Sequence, residues 1–470
     1  MTSACASTID MSLDALLRPR SVALVGASDT IHKIGGRPLL YLREQGFAGP
    51  IFPVNPNGGT VQGLRCHRSL DELPEAPDAV IVAVSAQHAL AQIEASGRVG
   101  ARAVVLFSSG FAEIGDEGAR RQLELRDAAR RAGVRLLGPN TIGIANFACG
   151  AVLSFASIYQ DFAPEDGPVA IVSQSGAVGA ALYASLRENG IGVRYVGATG
   201  NQADIDVCDL TSAILDDRAV RLLLLYLEEA RDLAELDRVL ARACALHVPV
   251  LLLQGGRQPS GIAMARHHTG AVGTRGQALA EVLAARACRE VHSVPELAGS
   301  APLYLMQHAA PGGSQRIAIV SNSGASCVLA ADACDDDGFA LARLSNETAA
   351  RLDALLPSFS RSRNPVDLTA MLLADASLLG RALAAVLNDE GCDALALSLM
   401  AVAGASYDLP RLAADTAQAV RAHGKPLAFS APDARVRAAF AAQGLAVFQS
   451  EREALDALAR HAAHRAALGA

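Results

Sequence analysis

One stretch of eight residues, Ala170-Ile171-Val172-Ser173-Gln174-Ser175-Gly176-Ala177, returns as Ala318-Ile319-Val320-Ser321-Asn322-Ser323-Gly324-Ala325 with a single change. An echo of this kind requires one supersecondary unit to be built twice. Each copy reads as a buried strand, a Ser-Gly turn and the first turn of a helix. A helix that begins on small residues aims free backbone N–H groups and a partial positive charge at one point, which suits a phosphate. Ser173, Ser175, Gly176, Ser323 and Gly324 are therefore the candidate phosphate-binding residues. Duplicated domains also keep similar turns without any chemical purpose, and the echo by itself does not separate the two readings.

Between the copies stands Arg266-His267-His268-Thr269-Gly270-Ala271-Val272-Gly273. It is predicted as a loop between the apolar run Val248–Leu253, which ends in Gln254-Gly255-Gly256, and an Ala-rich helix from about Gln277. A capping or solvated histidine is the plainer account of such a pair taken alone. Set beside two phosphate-suited helix starts, the pair points to a phosphohistidine held between two helix N-termini. The counterpart region of the second copy, Ser430 to Arg437, has no histidine, so one copy carries the nucleophile.

The chain has 470 residues, room for about three domains with a core each. Hydrophobic residues are 51% but aromatics only 4%, so the core is built from Ala, Val, Leu and Ile. That suits α/β layers with helices close-packed on parallel strands. A net charge of −7 without a basic run argues against nucleic acid. The apolar runs are short and broken by charge, which argues against a membrane span. Asp10 and Asp14 stand where a signal peptide would be basic. Nine cysteines lack CxxC or zinc-ligand spacing, as expected for reduced thiols in a cytoplasm, and no metal site is expected.

Taken in order, strands are predicted at 22–25, 50–54, 79–84, 103–107 and 134–137, each leading to a turn or helix. This alternation indicates a doubly wound parallel sheet with ligands beyond the strand C-termini. Gly26-Ala27-Ser28 is not a GxGxxG turn. The second strand ends in Val54-Asn55-Pro56-Asn57, where an NAD site would want an acid for the ribose. A nucleotide-bearing ligand other than NAD is expected, against the alternative of a dehydrogenase domain with an unusual second strand. A loop over 155–167 leads into the second domain, and a linker at 309–314 into the third. Two further echoes link these domains: Asp209-Leu210-Thr211 with Asp367-Leu368-Thr369, and Val248-Pro249-Val250 with Lys425-Pro426-Leu427.

These stretches, with Ser109-Gly110-Phe111-Ala112-Glu113, Gly138-Pro139-Asn140, Tyr226-Leu227-Glu228, His268-Thr269-Gly270-Ala271 and Asn364-Pro365-Val366-Asp367-Leu368, run in one order across nearly the whole chain. As a set they resemble the α-type part of the NDP-forming acyl-CoA synthetases, in the succinyl-CoA synthetase superfamily. The resemblance implies a Rossmann-like CoA-binding domain over 1–145 and two flavodoxin-like CoA-ligase domains over 146–300 and 314–470. It places the phosphorylated histidine on His268 and a carboxylate partner for the imidazole on Glu228. Coenzyme A is expected against Gly26, Ala27, Ser28, Lys33, Asn55 and Pro56, its pantetheine arm passing Ser109 and Gly110 toward Asn140. The family's usual small residues before the histidine are replaced by Arg266-His267.

The implied activity is an acid–CoA ligase working through phosphohistidine and acyl phosphate on a small carboxylic acid. No ATP-grasp region is recognised in the chain. A separate ATP-grasp β-type subunit carrying ATP/ADP with magnesium is therefore expected, in a hetero-oligomer. An ATP-independent carbamoyl- or acyl-transferase, and a non-catalytic CoA-binding protein, are the alternatives.

Overall fold

The computed structural model describes residues 11–269, 276–286, 288–306, 316–357, 360, 363–401 and 407–467. Its contacts divide the chain into two compact units: Met1–Arg187 with Gly192–Arg286, and Glu188–Ile191 with Ala287–Ala470.

The first unit holds two sheets. Strands β1 (Val22–Val25), β2 (Ile51–Val54), β3 (Ala79–Val82), β4 (Ala103–Leu106) and β5 (Arg135–Leu137) form a parallel sheet in the order β2-β1-β3-β4-β5. Their Val, Ala, Ile and Leu runs are buried almost throughout, as parallel strands covered by helices must be. Val80, Val82, Val104 and Leu106 pack with Ile93 and Leu125 of the helices Ala86–Arg98 and Asp116–Ala132.

An antiparallel hairpin follows, β6 (Gly143–Asn146) with β7 (Ala151–Ser154). Periodicity does not announce it, because each strand is four residues long and buried along its whole length, with no polar alternation. The hairpin edges the second sheet, its Asn146 pairing with Tyr195 of β9 (Val193–Ala198). That sheet continues through β8 (Val169–Ser173) to β10 (Leu222–Leu227) and β11 (Val250–Gln254), all parallel.

The histidine pair departs from the expected loop. His267 and His268 fall within the helix Pro259–Thr269, and only residues 270–275 of the predicted loop lie outside the described residues. Pro259 suits the first helical position, and the Ala, Met and Arg that follow are good helix formers, so helix runs through the pair.

In the second unit β12 (Arg316–Ser321) pairs with β13 (Ala340–Leu341), β14 (Val366–Asp367) and β15 (Ala394–Ser398). The sheet extends to β16 (Leu427–Ser430) and β17 (Ala446–Phe448). The order β13-β12-β15-β16 repeats the order β9-β8-β10-β11 of the first unit. The Pro echo is a true equivalence: Leu223 N–H donates to Pro249 O and Leu395 N–H to Pro426 O, both at 2.9 Å.

The Asp-Leu-Thr echo is not. Asp209 lies in the helix Val207–Ile214 as part of a capping box, whereas Asp367 ends strand β14. Sheet register matches Asp367, opposite Ser321, with Ala198, opposite Ser173. Local sequence likeness gave the wrong partner there because the second copy shortens the strand that the first copy keeps whole. The linker expected at 309–314 lies outside the described residues.

Candidate functional site

All the residues expected to meet coenzyme A sit at the carboxyl edge of the first sheet. Gly26 leaves β1 at φ +86, and a Cβ there would lie 2.3 Å from Ala83 O. A Cβ on Gly35 would lie 1.9 Å from Gly26 O, so backbone packs directly on backbone under Ala27 and Ser28. Asn55 is used inside this turn: its Nδ2 donates to Ala27 O at 3.0 Å and its Oδ1 accepts from Asn57 N–H at 3.1 Å. It shapes the cradle. Gln62, which sequence reasoning missed, ties the same loop through its Nε2 to Ser28 O (3.0 Å) and Gly36 O (2.9 Å). Lys33 and Pro56 are exposed beside it.

From β2 to β5 the edge spans four strand spacings, about 19 Å, suiting an elongated ligand. Ser109 is exposed on it, and Gly110 turns at φ +103. The Glu113 carboxylate folds back over this turn and accepts from Gly110 N–H at 2.5 Å and Phe111 N–H at 3.2 Å. It also accepts from Asn201 Nδ2, which brings in the second sheet. Asn201, buried at 1% exposure, accepts from Asn140 Nδ2 at 3.2 Å on its side-chain oxygen. Its backbone O accepts from Arg231 Nη2 at 2.9 Å. The first edge thus runs into the second without a break. Gly200-Asn201-Gln202 reads in sequence only as a tight turn, and nothing local to it signals a junction.

At the second edge Ser173 Oγ donates to Ser175 O (2.6 Å), and Ser175 N–H donates back to Ser173 Oγ (3.1 Å). This pair shapes the start of the helix Gly176–Glu188. Gln174 reaches across to the end of β10, where its Oε1 accepts from Glu228 N–H and from Glu229 N–H (3.0 Å) and its Nε2 donates to Glu229 O (2.7 Å). Glu228 is 8% exposed, and its Oε1 accepts from the Tyr226 hydroxyl at 3.0 Å. Burial and then the Glu228 carboxylate push the Tyr226 phenol above its ordinary pKa, which keeps it a donor.

Glu228 lies under the turn from which the histidine helix rises. A Cβ on Gly255 would meet Tyr226 Oη at 2.6 Å and Glu228 Cγ at 3.3 Å. A Cβ on Gly256 would stand 3.6 Å from the Glu228 main-chain O and 3.6 Å from Ala265 Cβ, so Ala265 marks the helix face that packs on the Gly256 turn beside Glu228. Position 268, three residues on, falls on that face; position 267 does not. The same helix packs against the turn Ala112–Ile114 that follows Ser109 and Gly110.

In the second unit Ser323 caps the helix Gly324–Asp336 with its Oγ. Asn322 takes the place of Gln174, accepting from Met400 N–H at 2.8 Å. A Cβ on Gly324 would lie 3.2 Å from Asp367 Oδ2, so a carboxylate stands beside this helix start. Among the described residues no group of three or more His, Cys, Asp or Glu is placed to hold a metal, and no helix is long and apolar enough to cross a membrane.

Comparison with known proteins bears on this arrangement. Residues 20–146 match a CoA binding domain, 166–304 a succinyl-CoA ligase-like flavodoxin domain and 317–449 a ligase-CoA domain. The α subunit of an ADP-forming acetate–CoA ligase of Pyrococcus furiosus is 33% identical over 369 residues, 77% of each chain. The chain belongs to the succinyl-CoA synthetase-like, NDP-forming acyl-CoA synthetases. It is also 34% identical over 383 residues to the ADP-forming acetate–CoA ligase I of Archaeoglobus fulgidus, covering 81% of this chain and 54% of that protein. The chain thus spans about half the length of that relative. The dinucleotide-forming acetyl-coenzyme A synthetase 1 of Candidatus Korarchaeum cryptofilum, solved with phosphate and ADP, superposes with a TM-score of 0.86 at 25% identity, covering 97% of this chain and 98% of that one. The family's architecture is the one seen here, a Rossmann-like CoA-binding domain followed by two flavodoxin-like CoA-ligase domains.

Proposed function

We propose that the chain is the CoA-binding, phosphohistidine-bearing, α-type part of an ADP-forming acid–CoA ligase, with domains over 1–145, 146–300 and 314–470. The observation that carries this reading is the helix face shared by position 268 and Ala265, which packs on the Gly256 turn beside Glu228. A carboxylate fixed by Tyr226 and by the Gln174 clamp is built to accept an imidazole N–H, which sets the tautomer that offers the other ring nitrogen to phosphorus. The His268 ring takes the γ-phosphoryl group of ATP and releases ADP. It then passes the group to a carboxylate, forming an acyl phosphate. The CoA thiol attacks the acyl carbon, phosphate leaves, and the thiol proton leaves with it.

In this reading the helix start at Ser175 and Gly176 holds the phosphoryl group, aiming N–H groups at it, while Ser173 shapes the turn from below. Ser323 and Gly324 form a second candidate, the weaker of the two because Asp367 already meets that positive end. Gly26, Ala27, Ser28 and Lys33 take the nucleotide end of CoA, with Asn55 and Pro56 shaping the turn. Ser109, Gly110 and Asn140 take the pantetheine arm. ATP, ADP and magnesium belong to a separate ATP-grasp subunit, a reading supported by the Pyrococcus furiosus relatives that are named α subunits.

The deciding experiment is phosphoryl labelling of the chain by ATP with that subunit, or by an acyl phosphate. An acid-labile, base-stable phosphoprotein is expected. His268→Ala should abolish the label and His267→Ala should keep it; the opposite pattern overturns the assignment.

A further inference from the structure

An isoleucine stands over the helix start to which the phosphoryl group is assigned. A Cβ placed on Gly176 would lie 2.6 Å from Ile142 Cγ2, 3.2 Å from its Cγ1 and 3.4 Å from its Cβ. The Ile142 side chain therefore rests on the first residue of that helix, and it is only partly buried. The segment holding it is fixed on both flanks. Thr141 Oγ1 donates to Ala198 O and accepts from Gly143 N–H at 2.9 Å. Ser154 Oγ donates to Ile142 O at 2.6 Å. Just before it, Gly200 packs on Pro139 O and Asn140 O, with no space for a Cβ.

A second apolar group, the half-buried Phe155 and the buried Phe107, stands beyond the hairpin. Phe155 follows Ser154, whose register partner is Gly143, so Ile142 and Phe155 leave the hairpin together. The Phe155 ring meets Phe107 edge-on, centroids 4.8 Å apart, and Phe107 directly precedes Ser108, Ser109 and Gly110. Apolar side chains thus stand at both ends of the interval between the phosphate-facing helix start and the turn assigned to the pantetheine arm. An acyl group passed from phosphate to thiol has to occupy that interval.

We propose that Ile142 determines acyl specificity, limiting the substrate to a monocarboxylic acid with a short, apolar tail. The proposal rests on the ligase reading above. A branched side chain is stiff about χ1, and its backbone is pinned by Thr141 and Ser154, so it acts as a fixed stop. A second carboxylate brought against isoleucine would lose its water without gaining a partner. Ile142 touches no reacting group in this account; it limits the space beside them.

The test supplies the chain and CoA with acetyl, butyryl or succinyl phosphate and measures acyl-CoA formation. The thiol displaces inorganic phosphate in each case, so no nucleotide is needed. The wild type should prefer acetyl over butyryl phosphate and use succinyl phosphate poorly. Ile142→Ala should raise the butyryl-to-acetyl ratio of kcat/KM on the order of tenfold or more, tenfold being the lower end of the scale for a single methylene group in or out of a pocket. Ile142→Val should move it the same way by less, which keeps the test open if the alanine variant folds poorly. CoA affinity, read by calorimetry, should be unchanged in both. An unaltered ratio in both variants, or an equal fall for every acyl phosphate, overturns the role of Ile142 while leaving the ligase reading intact. A wild-type chain that forms no acyl-CoA from any acyl phosphate and takes no phosphoryl label from any of them removes the ligase reading, and this proposal with it.

Discussion

Two Ser-x-Ser-Gly turns, at Ser173–Gly176 and Ser321–Gly324, grow from the same strand–turn–helix unit in sheets of the same order. Their surroundings differ at each position that matters for chemistry. Register pairs Ser173 with Tyr226 and Ser321 with Ser398, so Glu228 in the first copy corresponds to Met400 in the second. Gln174 and Asn322 each accept from a backbone N–H at the neighbouring strand end, but the residue held there bears a carboxylate in one case and a thioether in the other. Above the helix start stands Ile142 in the first copy and the Asp367 carboxylate in the second. Duplication kept the backbone device, because its hydrogen bonds are local. The side chains that would make it reactive come from other segments, and those were free to diverge.

The sharpest way to break the comparison is to exchange its central difference. Glu228→Gln should slow phosphorylation on the order of 10²-fold or more, by analogy with loss of the group that orients a catalytic imidazole. Met400→Ala, at the matching register position, should leave the labelling rate within about twofold, as an exposed side chain outside the reaction would. Similar losses in both, measured by the rate of label incorporation, would mean that the copies share the work.

The clamps provide the next contrast. Gln174→Ala strips the acceptor from two N–H groups and frees the Glu228 segment, so labelling should fall on the order of tenfold with about 1–3 kcal/mol of stability lost. Asn322→Ala should lose about 1 kcal/mol or less in denaturant unfolding without slowing the label.

A third contrast concerns space alone. Gly176→Ala drives a methyl group into Ile142 and should destabilise by about 1–3 kcal/mol, whereas the Gly324→Ala methyl meets only a carboxylate oxygen at 3.2 Å and should cost less. Combining Gly176→Ala with Ile142→Ala should recover most of the loss in a double-mutant cycle.

One effect, on stability alone, should be common to both units. Asp78, in the first, and Asp389, in the second, each have a pKa near 2: burial alone would raise them, but hydrogen bonds outweigh it. For Asp78 the bonds come from Arg20 and Arg102, and for Asp389 from Thr348, Ser345 and Gly391. A depressed carboxylate pKa adds stability above the unfolded value near 4 and loses it as pH falls toward about 2. Asp78→Asn should therefore cost about 2 kcal/mol at neutral pH and flatten the acid limb between about pH 4 and 2. An unchanged acid limb in chemical unfolding would show that its ion pairs with Arg20 and Arg102 add nothing.

The sequence by itself determined the repeated strand–turn–helix, the parallel sheets and the order of the turns along the chain, because each is written in contiguous apolar runs and Gly-Ser punctuation. It also determined which copy has histidines. It did not show that the histidine pair continues a helix, since Thr269-Gly270 reads as a loop when helix formers before it are not weighed. It paired Asp367 with Asp209, where register pairs it with Ala198. The antiparallel hairpin escaped because complete burial erases the alternation that marks a strand. Tertiary structure alone decided that Asn201 joins Glu113, Asn140 and Arg231, that Gln174 clamps Glu228, and that Ile142 covers Gly176. Each of those meetings joins residues more than 25 positions apart, and no local pattern encodes a contact that only the packing of one sheet edge on another brings about.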